Sequence, residues 1–445
     1  MPVHSPSRAR TLVLCGLATA AATLVTSCAT LTSGAPSASQ GAPAPVSTAV
    51  PRGEVTLTIV TSENTGTTRA LAEAFHAGHP NVTVDLRYTP PEEYDENINR
   101  ELSSDDAPDL ALLNKLGTTV KDGLIRSLDG YADVYGWEST YPSGQLDQWR
   151  SSPDGAELRF GPLWAAPAGF SMVGVYYNKA TAARLGIEVP ADLAAFDAAL
   201  AKAKAAGEVP VQLGNLQGHS SFVLQSIVDA QDGARETGNW VRGRPGSTLR
   251  THGGREAART LSHWADNGYF PDDANSKDLP AAVADFTRGQ GLFLFDGSWD
   301  GHVIDRTMPG DAGFFLFPGD MGNTTAIGTS LAYAIPTRSD EPDLAAAFLD
   351  FMNSPEAAAI QYSTGFLPVA HTDSVKAPAG HVMGDITRGW AAVNEHDGLV
   401  NFFANSTPTM STTLTSQSRR LIDREITPDD YLAALQNDWA GGHWG

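Results

Sequence analysis

Hydrophobic and polar positions alternate and repeat in a regular order near the start of the folded part of the chain. Apolar residues alternate with polar ones over Val55–Ile59, as in a strand with one buried face. Thr67–Ala77 has apolar residues at helical spacing, and a second alternating stretch covers Val82–Leu86. Pro91–Ser103 can form another helix and Asp109–Leu113 a third strand. This order predicts a β-α-β-α-β unit with a parallel sheet.

The positions that follow the predicted strands are polar. Thr61–Asn64 follow the first strand and Asn114–Lys115 follow the third. Ligands of parallel α/β sheets bind beyond the carboxyl ends of the strands, so we expect a ligand-binding edge here. Glu63 and Asn64 have an alternative role, since polar residues at such a position often cap the helix that follows.

A second α/β region comes later in the chain. Met172–Tyr177 is an apolar run typical of a buried strand, and Asp192–Ala206 has the apolar spacing of a helix that Gly207 ends. Thr427–Asp429 is a helix start within a mostly helical C-terminal segment. The chain is therefore predicted to be α/β, with enough residues for two domains. The other predicted elements are Gly291–Phe295, Phe314–Phe317, Leu331–Ile335 and Asp343–Met352.

The N-terminus has the order of parts found in a secretory signal. Two arginines precede an apolar run over Leu12–Val25, which is too short to span a bilayer. The small residue Ser27 stands directly before Cys28, as a lipoprotein signal peptidase requires. We expect residues 1–27 to be removed and Cys28 to carry the lipid. The alternative is an ordinary cleaved signal with an incidental cysteine.

Composition adds a stalk and limits the partners. Residues 28–52 are rich in Ser, Ala, Pro, Thr and Gly, which predicts a flexible stalk. Cys15 leaves with the signal, so no cysteine remains for a disulfide or a thiolate metal site. Loss of the two signal arginines moves the formal charge from -21 to -23. That charge repels phosphate backbones, so we expect no nucleic acid partner and a membrane contact only through the lipid.

Five groups of short segments form a series over nearly the whole chain after the stalk. They are Pro108–Asn114; Pro162–Pro167 with Val175–Lys179; Phe286–Gly289 with Asp296–Trp299; Gly328–Ser330 with Ala334–Pro336 and Ala345–Asn353; and Thr364–Val369. Each group is weak alone. Together, in this order and behind a lipoprotein signal, they resemble the family 1 extracellular solute-binding proteins, which capture ligands for ABC importers.

This resemblance implies a periplasmic-binding-protein-like fold with two α/β lobes. Each lobe would be a mostly parallel sheet flanked by helices, and the ligand cleft would lie between the lobes. Crossing segments are expected near Ala166–Pro167, Trp299–Asp300 and Gly328–Ser330. The expected segments are 53–166 and 300–330 for lobe 1, and 167–299 and 331–445 for lobe 2 with the C-terminal helices.

The resemblance also implies a set of ligand contacts. Trp299 matches the stacking tryptophan of the family. Ser171 stands where a maltose receptor of this family has a carboxylate, and the loop Gln217–Ser220 lacks that receptor's acid and aromatic residues. The ligand is therefore expected to differ from maltose. The implied contacts are Glu63, Asn64, Asn114, Lys115, Phe170, Ser171, His219, Trp299, Thr329 and Ser330.

A mono- or oligosaccharide is the expected ligand, carried by a monomeric protein to an ABC permease. A pyranose ring has an apolar face and a rim of hydroxyls, so its site needs an aromatic plate and polar side chains. Trp299 supplies such a plate, and the alternative is a core tryptophan at a strand end. His219 is either a donor to the ligand or a solvated loop residue.

The sequence contains no recognisable catalytic motif. G-x-S-x-G, H-E-x-x-H, the P-loop and G-x-G-x-x-G are all missing, so we expect no catalytic residue, no metal site and no cofactor. The loop Asp272–Asp278 resembles a calcium loop but lacks the required Gly and Glu. A secreted glycosidase and a binding protein for a metal chelate, polyamine or peptide remain as alternatives. Carboxylates for the glycosidase would come from Glu63, Asp109, Asp296 and Asp300.

Overall fold

The predicted β-α-β-α-β opening is confirmed in the structure, a computed structural model that describes residues 46–63, 66–114, 116–141, 143–155, 157–319, 324–375 and 380–444. Strand β1 (Val55–Thr61) pairs in parallel with β2 (Val82–Tyr88) on one edge and with β3 (Leu110–Leu113) on the other. Helices α1 (Thr67–Gly78) and α2 (Pro91–Leu102) connect them.

The remaining elements follow in chain order. The further strands are β4 (Arg150–Ser151), β5 (Leu158–Leu163), β6 (Ala166–Asn178), β7 (Val211–Gln212), β8 (Phe293–Gly297), β9 (Ala312–Phe315), β10 (Ala326–Ala334) and β11 (Leu399–Val400). The further helices are α3 (Gly117–Lys121), α4 (Asp129–Tyr135), α5 (Trp137–Thr140), α6 (Ser143–Asp147), α7 (Lys179–Leu185), α8 (Leu193–Ala205), α9 (Ser220–Val241), α10 (His252–Asp266), α11 (Leu279–Thr287), α12 (Gly301–Thr307), α13 (Pro342–Met352), α14 (Pro355–Thr364), α15 (Val382–Glu395), α16 (Met410–Ile422) and α17 (Pro428–Trp444). Short 3-10 turns lie at Ala274–Ser276, Ser298–Asp300, Thr372–Ser374 and Phe403–Asn405.

Two long strands, β6 and β10, run antiparallel through the middle of the larger sheet. Its order is β2-β1-β3-β10-β6-β8-β7, with β11 added to β10 and β9 added to β6. Strand β10 pairs with β3 near Ala334 and with β6 near Gly328, and its register shifts between Ser330 and Ala332. The sheet is therefore parallel at its β2-β1-β3 end and mixed elsewhere. Both strands contain predicted crossing positions.

Helix boundaries follow local polar caps. The Asp192 carboxylate accepts a hydrogen bond of 2.7 Å from the backbone N–H of Ala195, so α8 begins where the sequence predicts, and Gly207 follows its end with φ 80°. The Thr427 hydroxyl accepts a hydrogen bond of 3.1 Å from the backbone N–H of Asp430 at the start of α17. Both predicted boundaries are confirmed.

Buried apolar side chains form two clusters. The first gathers β1, β3, α1 and α13 around residues such as Leu57 and Phe348. The second gathers α8, α9, α10, α16 and α17, with the rings of Phe196 and Trp264 stacked at 5.3 Å. Helix α13 packs in the first cluster although it lies beyond residue 331. These clusters do not define the limits of the lobes, so the lobe boundaries stay predictions.

The last part of the predicted stalk packs against the folded body. Val46 and Val50 contact the first core cluster, and the backbone N–H of Ser47 donates to Asp343 Oδ1 at 3.2 Å. The Asn81 amide donates to the carbonyl of Pro51 at 2.8 Å. Two valines bury apolar surface here, so residues 46–52 belong to the folded body and any stalk ends before them. The signal 1–27, Cys28 and the rest of the predicted stalk lie outside the described residues.

Candidate functional site

A polar cluster at the carboxyl end of β1 joins three elements. The hydroxyl of Tyr333 on β10 lies 2.8 Å from that of Thr61 and 2.6 Å from that of Thr68 on α1. The Glu63 carboxylate accepts a hydrogen bond of 2.8 Å from the backbone N–H of Thr68, so Glu63 does cap the next helix. Burial raises the pKa of Tyr333 well above its usual range, so its hydroxyl stays protonated and can donate a hydrogen bond within the cluster.

The end of α14 connects this polar cluster to Trp299. The Thr67 hydroxyl donates to the Thr364 hydroxyl at 2.7 Å. Gly365 follows with φ 105°, and a Cβ at that position would lie 3.4 Å from the carbonyl oxygen of Trp299. The start of α1, the end of α14 and Trp299 are therefore neighbours.

Three half-buried aromatic side chains, Phe222, Trp299 and Phe402, form what we call the aromatic cluster. The ring centroid of Trp299 lies 6.3 Å from that of Phe222 and 6.5 Å from that of Phe402, and the two phenylalanines are 5.9 Å apart. All three rings keep exposed surface and can contact a ligand. In contrast, the fully buried tryptophans are Trp137, Trp240, Trp264 and Trp390.

The indole ring of Trp299 folds back over Gly297. A Cβ at Gly297 would come within 2.2 Å of ring atom Cζ3, so a larger residue there would displace the ring. The Ser298 hydroxyl, between them, accepts a hydrogen bond of 3.2 Å from the backbone N–H of Met172. This bond ties the turn after β8 to β6 and fixes where the ring is presented.

Two carboxyl groups lie beside the Trp299 indole. Asp296 is fully buried, and its Oδ1 accepts a hydrogen bond of 2.7 Å from the backbone N–H of Gly297. Burial, together with the charge of Asp300, raises the pKa of Asp296 well above its usual range. Burial also raises the pKa of Asp300, while hydrogen bonds from Asp296 and Trp299 oppose that change. Burial therefore favours the protonated form of both carboxyl groups beside the aromatic plate.

His219 lies against the edge of the aromatic cluster. Its ring centroid is 5.1 Å from that of Phe222, and its Nδ1 lies 3.1 Å from the Gly214 carbonyl oxygen. Burial lowers the pKa of His219, so the imidazole is neutral near pH 7. A neutral imidazole whose Nδ1–H is directed at the carbonyl leaves Nε2 as an acceptor for a ligand hydroxyl.

The predicted contacts on β6 and β10 lie mostly inside the protein. Phe170 is fully buried with its ring centroid 4.7 Å from that of Trp390, so it offers no surface to a ligand in this conformation. The Ser171 hydroxyl donates to the Thr329 carbonyl at 3.4 Å, and the Ser330 hydroxyl accepts a hydrogen bond from the Trp149 indole. These residues connect the two long strands.

The structure brings together only part of the predicted set. Trp299 and His219 meet through Phe222, and Glu63 lies near them through the end of α14. Asn114 is exposed at the end of β3, and Asn64 and Lys115 lie outside the described residues. Sequence reasoning missed Phe222 and Phe402. Phe222 could have been found, since it follows His219 by three positions; Phe402 has no pattern around it.

The acidic loop Asp272–Asp278 holds a lysine in place of a metal ion. Lys277 Nζ lies 3.0 Å from Asp273 of the loop and 2.6 Å from Asp285 on α11, so an ammonium group pairs with one loop carboxylate and one helix carboxylate. Across the ranges that the structure describes, no three His, Cys, Asp or Glu side chains are grouped as metal ligands. No helix among the same residues has both the length and the apolar character to cross a membrane.

Comparison with known proteins identifies the family. Residues 61–359, more than half of the chain, match the family model described as bacterial extracellular solute-binding protein. The chain belongs to this family of solute-binding proteins. A curated relative, the multiple sugar-binding protein of Streptococcus mutans serotype c, is 25% identical over 215 residues. That alignment covers 47% of this chain and 51% of the relative, so the chain spans about half the length of the curated relative it matches.

Solved structures show the same fold. This solute-binding protein is similar to a chitin oligosaccharide binding protein with a TM-score of 0.72 and 19% identity, over 88% of this chain and 100% of that one. It is similar to RafE in complex with raffinose with a TM-score of 0.70 and 18% identity, over 87% and 99% of the two chains. The predicted two-lobed α/β fold is therefore confirmed, and the family works outside the cytoplasm.

Proposed function

We propose that this solute-binding protein binds a carbohydrate reversibly at the aromatic cluster, closes on it, and delivers it to an ABC permease. The half-buried Trp299, flanked by Phe222 and Phe402, carries this proposal. The apolar C–H face of a pyranose ring stacks on an aromatic plate. The hydroxyl groups at the rim of the pyranose need hydrogen-bond acceptors beside that plate. The partly exposed Asp300 carboxyl and the neutral His219 supply such acceptors.

The relatives support the same ligand class. One is named a multiple sugar-binding protein, one a chitin oligosaccharide binding protein, and RafE is in complex with raffinose. All three names refer to saccharides. We propose Trp299 as the plate, Phe222 and Phe402 as its walls, and Glu63, Asn114 and His219 as polar contacts. We propose that Phe170, Ser171, Thr329 and Ser330 support the strands that cross between the lobes.

A glycosidase site is a poor match for these carboxylates. Glycosidases use two carboxyl groups about 5 to 9 Å apart on either side of the bond that is cleaved. Asp296 is instead fully buried, so it presents no carboxylate to a ligand. The Asp109 carboxylate accepts hydrogen bonds from the backbone of Thr58 and from the Ser339 hydroxyl, at 2.9 Å and 2.8 Å. We therefore favour binding over hydrolysis.

Binding should be visible as stabilisation and closure. A ligand that binds only the folded protein stabilises it by roughly 2.7 kcal/mol at a hundred times its dissociation constant. We expect one member of a saccharide panel to raise the thermal midpoint by several degrees and to reduce the radius of gyration in solution scattering. Chromatography should recover that saccharide intact. Cleaved sugar formed at a turnover rate would instead show a glycosidase, and a response only to a polyamine, peptide or metal chelate would overturn the ligand class.

The membrane tether is a second part of the proposal. Ser27-Cys28 behind an apolar segment supports lipid attachment at Cys28, with delivery of the sugar by a monomer at the membrane surface. In cells, Cys28→Ala is expected to abolish incorporation of labelled fatty acid and to leave the signal uncut by the lipoprotein peptidase. Continued labelling of the Cys28→Ala protein would show that another residue carries the lipid.

A further inference from the structure

A cavity of about 520 Å³ lies apart from the aromatic cluster, and none of its lining residues belongs to that cluster. One wall is Arg159 on β5, and another is the C-terminal half of α9 with Arg235 and, directly after the helix, Arg242. The segments before β10 and β11 close it, with Thr325 and Asp397 at the surface of the cavity. It is lined by three guanidinium groups and by three carboxylates, those of Asp232, Glu236 and Asp397.

Two backbone features bring these arginines together. Gly233 breaks α9 with φ 81° and ψ 157°, a conformation open only to glycine, and so redirects the half of the helix that ends before Arg242. Arg159, the second residue of β5, adopts φ 61°. The Arg244 guanidinium donates to the carbonyl of the neighbouring Leu158 at 3.3 Å, which fixes β5 against α9.

The acidic side chains of the cavity already have partners. Asp232 accepts hydrogen bonds from the Thr251 hydroxyl and, at 3.0 Å, from the backbone N–H of Gly253. Glu236 pairs with the exposed Arg235 at 3.2 Å, and Asp397 pairs with Arg159 at 3.6 Å. Arginines therefore neutralise Glu236 and Asp397, whereas Asp232 has neutral hydrogen-bond partners and keeps its charge.

Among the described residues that line the cavity, Arg242 is the arginine without an ion-pair partner. Its Nη2 donates to Asn239 Oδ1 at 3.0 Å, and within the described ranges no carboxylate lies at ion-pair distance from it or from Arg244. Burial lowers the pKa of Arg242 to about 10, and the charges of Arg159 and Arg244 act in the same direction against that of Asp397. A partly buried guanidinium that faces two others is stabilised by an anion between them.

We propose that this cavity binds an oxyanion, a carboxylate or a phosphate, through Arg242 and Arg159. Guanidinium groups offer paired N–H donors that match two oxygens of either anion, and the Thr325 hydroxyl lies beside them as a further donor. The anion is either a free inorganic ion or the acidic group of a bound saccharide. The proposal stands on these arginines and does not depend on the carbohydrate site.

Calorimetry with inorganic phosphate tests this proposal. The full chain is titrated with phosphate and with glucuronate, with glucose as the neutral counterpart, in a background of sodium chloride. We expect phosphate or glucuronate to bind the wild-type protein, and Arg242→Gln and Arg159→Gln each to weaken that binding at least tenfold. Arg184→Gln is the matched control, because it removes the same charge from an exposed arginine that pairs with Glu208 at 2.6 Å outside the cavity.

The outcomes separate the two sources of the anion. Phosphate binding that depends on Arg242 supports a free ion, whereas dependence seen with glucuronate alone supports an acidic saccharide. If neither anion binds, or if both arginine variants bind as well as Arg184→Gln, the proposal is overturned. Thermal midpoints without ligand show that each variant is folded. A protein that binds neutral sugars and fails this test keeps its proposed function and loses only this site.

Discussion

Trp299→Ala is expected to weaken saccharide binding by on the order of 2 kcal/mol, about thirtyfold, with the fold intact. The ring lies half-buried between Phe222 and Phe402, so its removal takes away the plate and leaves little of the core exposed. Trp299→Phe keeps a smaller ring and should lose less. Calorimetry gives the affinities, and circular dichroism confirms folding.

Gly297→Ala provides the second variant, because it leaves the indole in the protein but moves it. A Cβ at Gly297 would lie 2.2 Å from the ring, which must swing away. We expect binding to fall for Gly297→Ala as it does for Trp299→Ala. Unchanged affinity in Trp299→Ala would remove the residue from the site, and an unfolded Trp299→Ala protein would assign it to the core.

Asp229→Asn is expected to stabilise the protein at neutral pH, by an amount that grows as pH rises. Asp229 lies inside α9, is 1% exposed, and neither of its carboxyl oxygens has a hydrogen-bond partner among the described residues. The nearest donors are used elsewhere: Gln225 donates to the Asn401 carbonyl at 2.9 Å and Thr237 to the Gly233 carbonyl at 3.1 Å.

The direction in which stability changes with pH follows from the direction of the pKa change of Asp229. Burial raises the pKa of Asp229 in the folded protein well above its usual range. The nearby side chains of Thr237 and Gln225 oppose this change, and the charge of Asp232 adds to it. The folded state therefore holds a proton that the unfolded state releases near pH 4. Between that pH and the folded pKa, each pH unit costs the wild type about 1.4 kcal/mol of stability through this group.

Thermal midpoints from pH 5 to pH 8 test this linkage. The gap between Asp229→Asn and wild type should widen across this range, because the variant lacks the proton that the folded wild type must keep. Asp272→Asn is the control, since it removes the same charge from an exposed loop and should leave the wild-type profile in place. A gap that does not change with pH would show that the Asp229 carboxyl is ionised in the folded protein.

The local pattern of apolar and polar residues predicted the helices and strands better than it predicted the ligand site. The opening β-α-β-α-β unit and the start of α8 could be read from alternation and from one capping aspartate, because short-range sterics and burial determine them. Phe222 and Phe402 come from segments 180 positions apart in the chain and meet only when α9 and β11 pack together. No local pattern carries that information.

Burial separates residues that look alike in the sequence. Phe170 and Trp299 were both predicted as ligand contacts, yet Phe170 lies under Trp390 while Trp299 keeps exposed surface. The kink at Gly233 was likewise invisible, since a glycine inside a helical pattern is compatible with a straight helix. Tertiary packing decides each of these cases.

Strand β10 is needed to complete the sheet that the N-terminal part of the folded chain begins. β10 comes late in the sequence but fills the place beside β3, at the edge that the first hundred residues of the folded part would otherwise leave open. A fragment that ended at residue 166 would keep β1, β2 and β3, and the amides and carbonyls on the β10-facing edge of β3 would be unpaired. Such an edge recruits strands from other copies, so the early part of this chain is prone to aggregate until β10 has been synthesised.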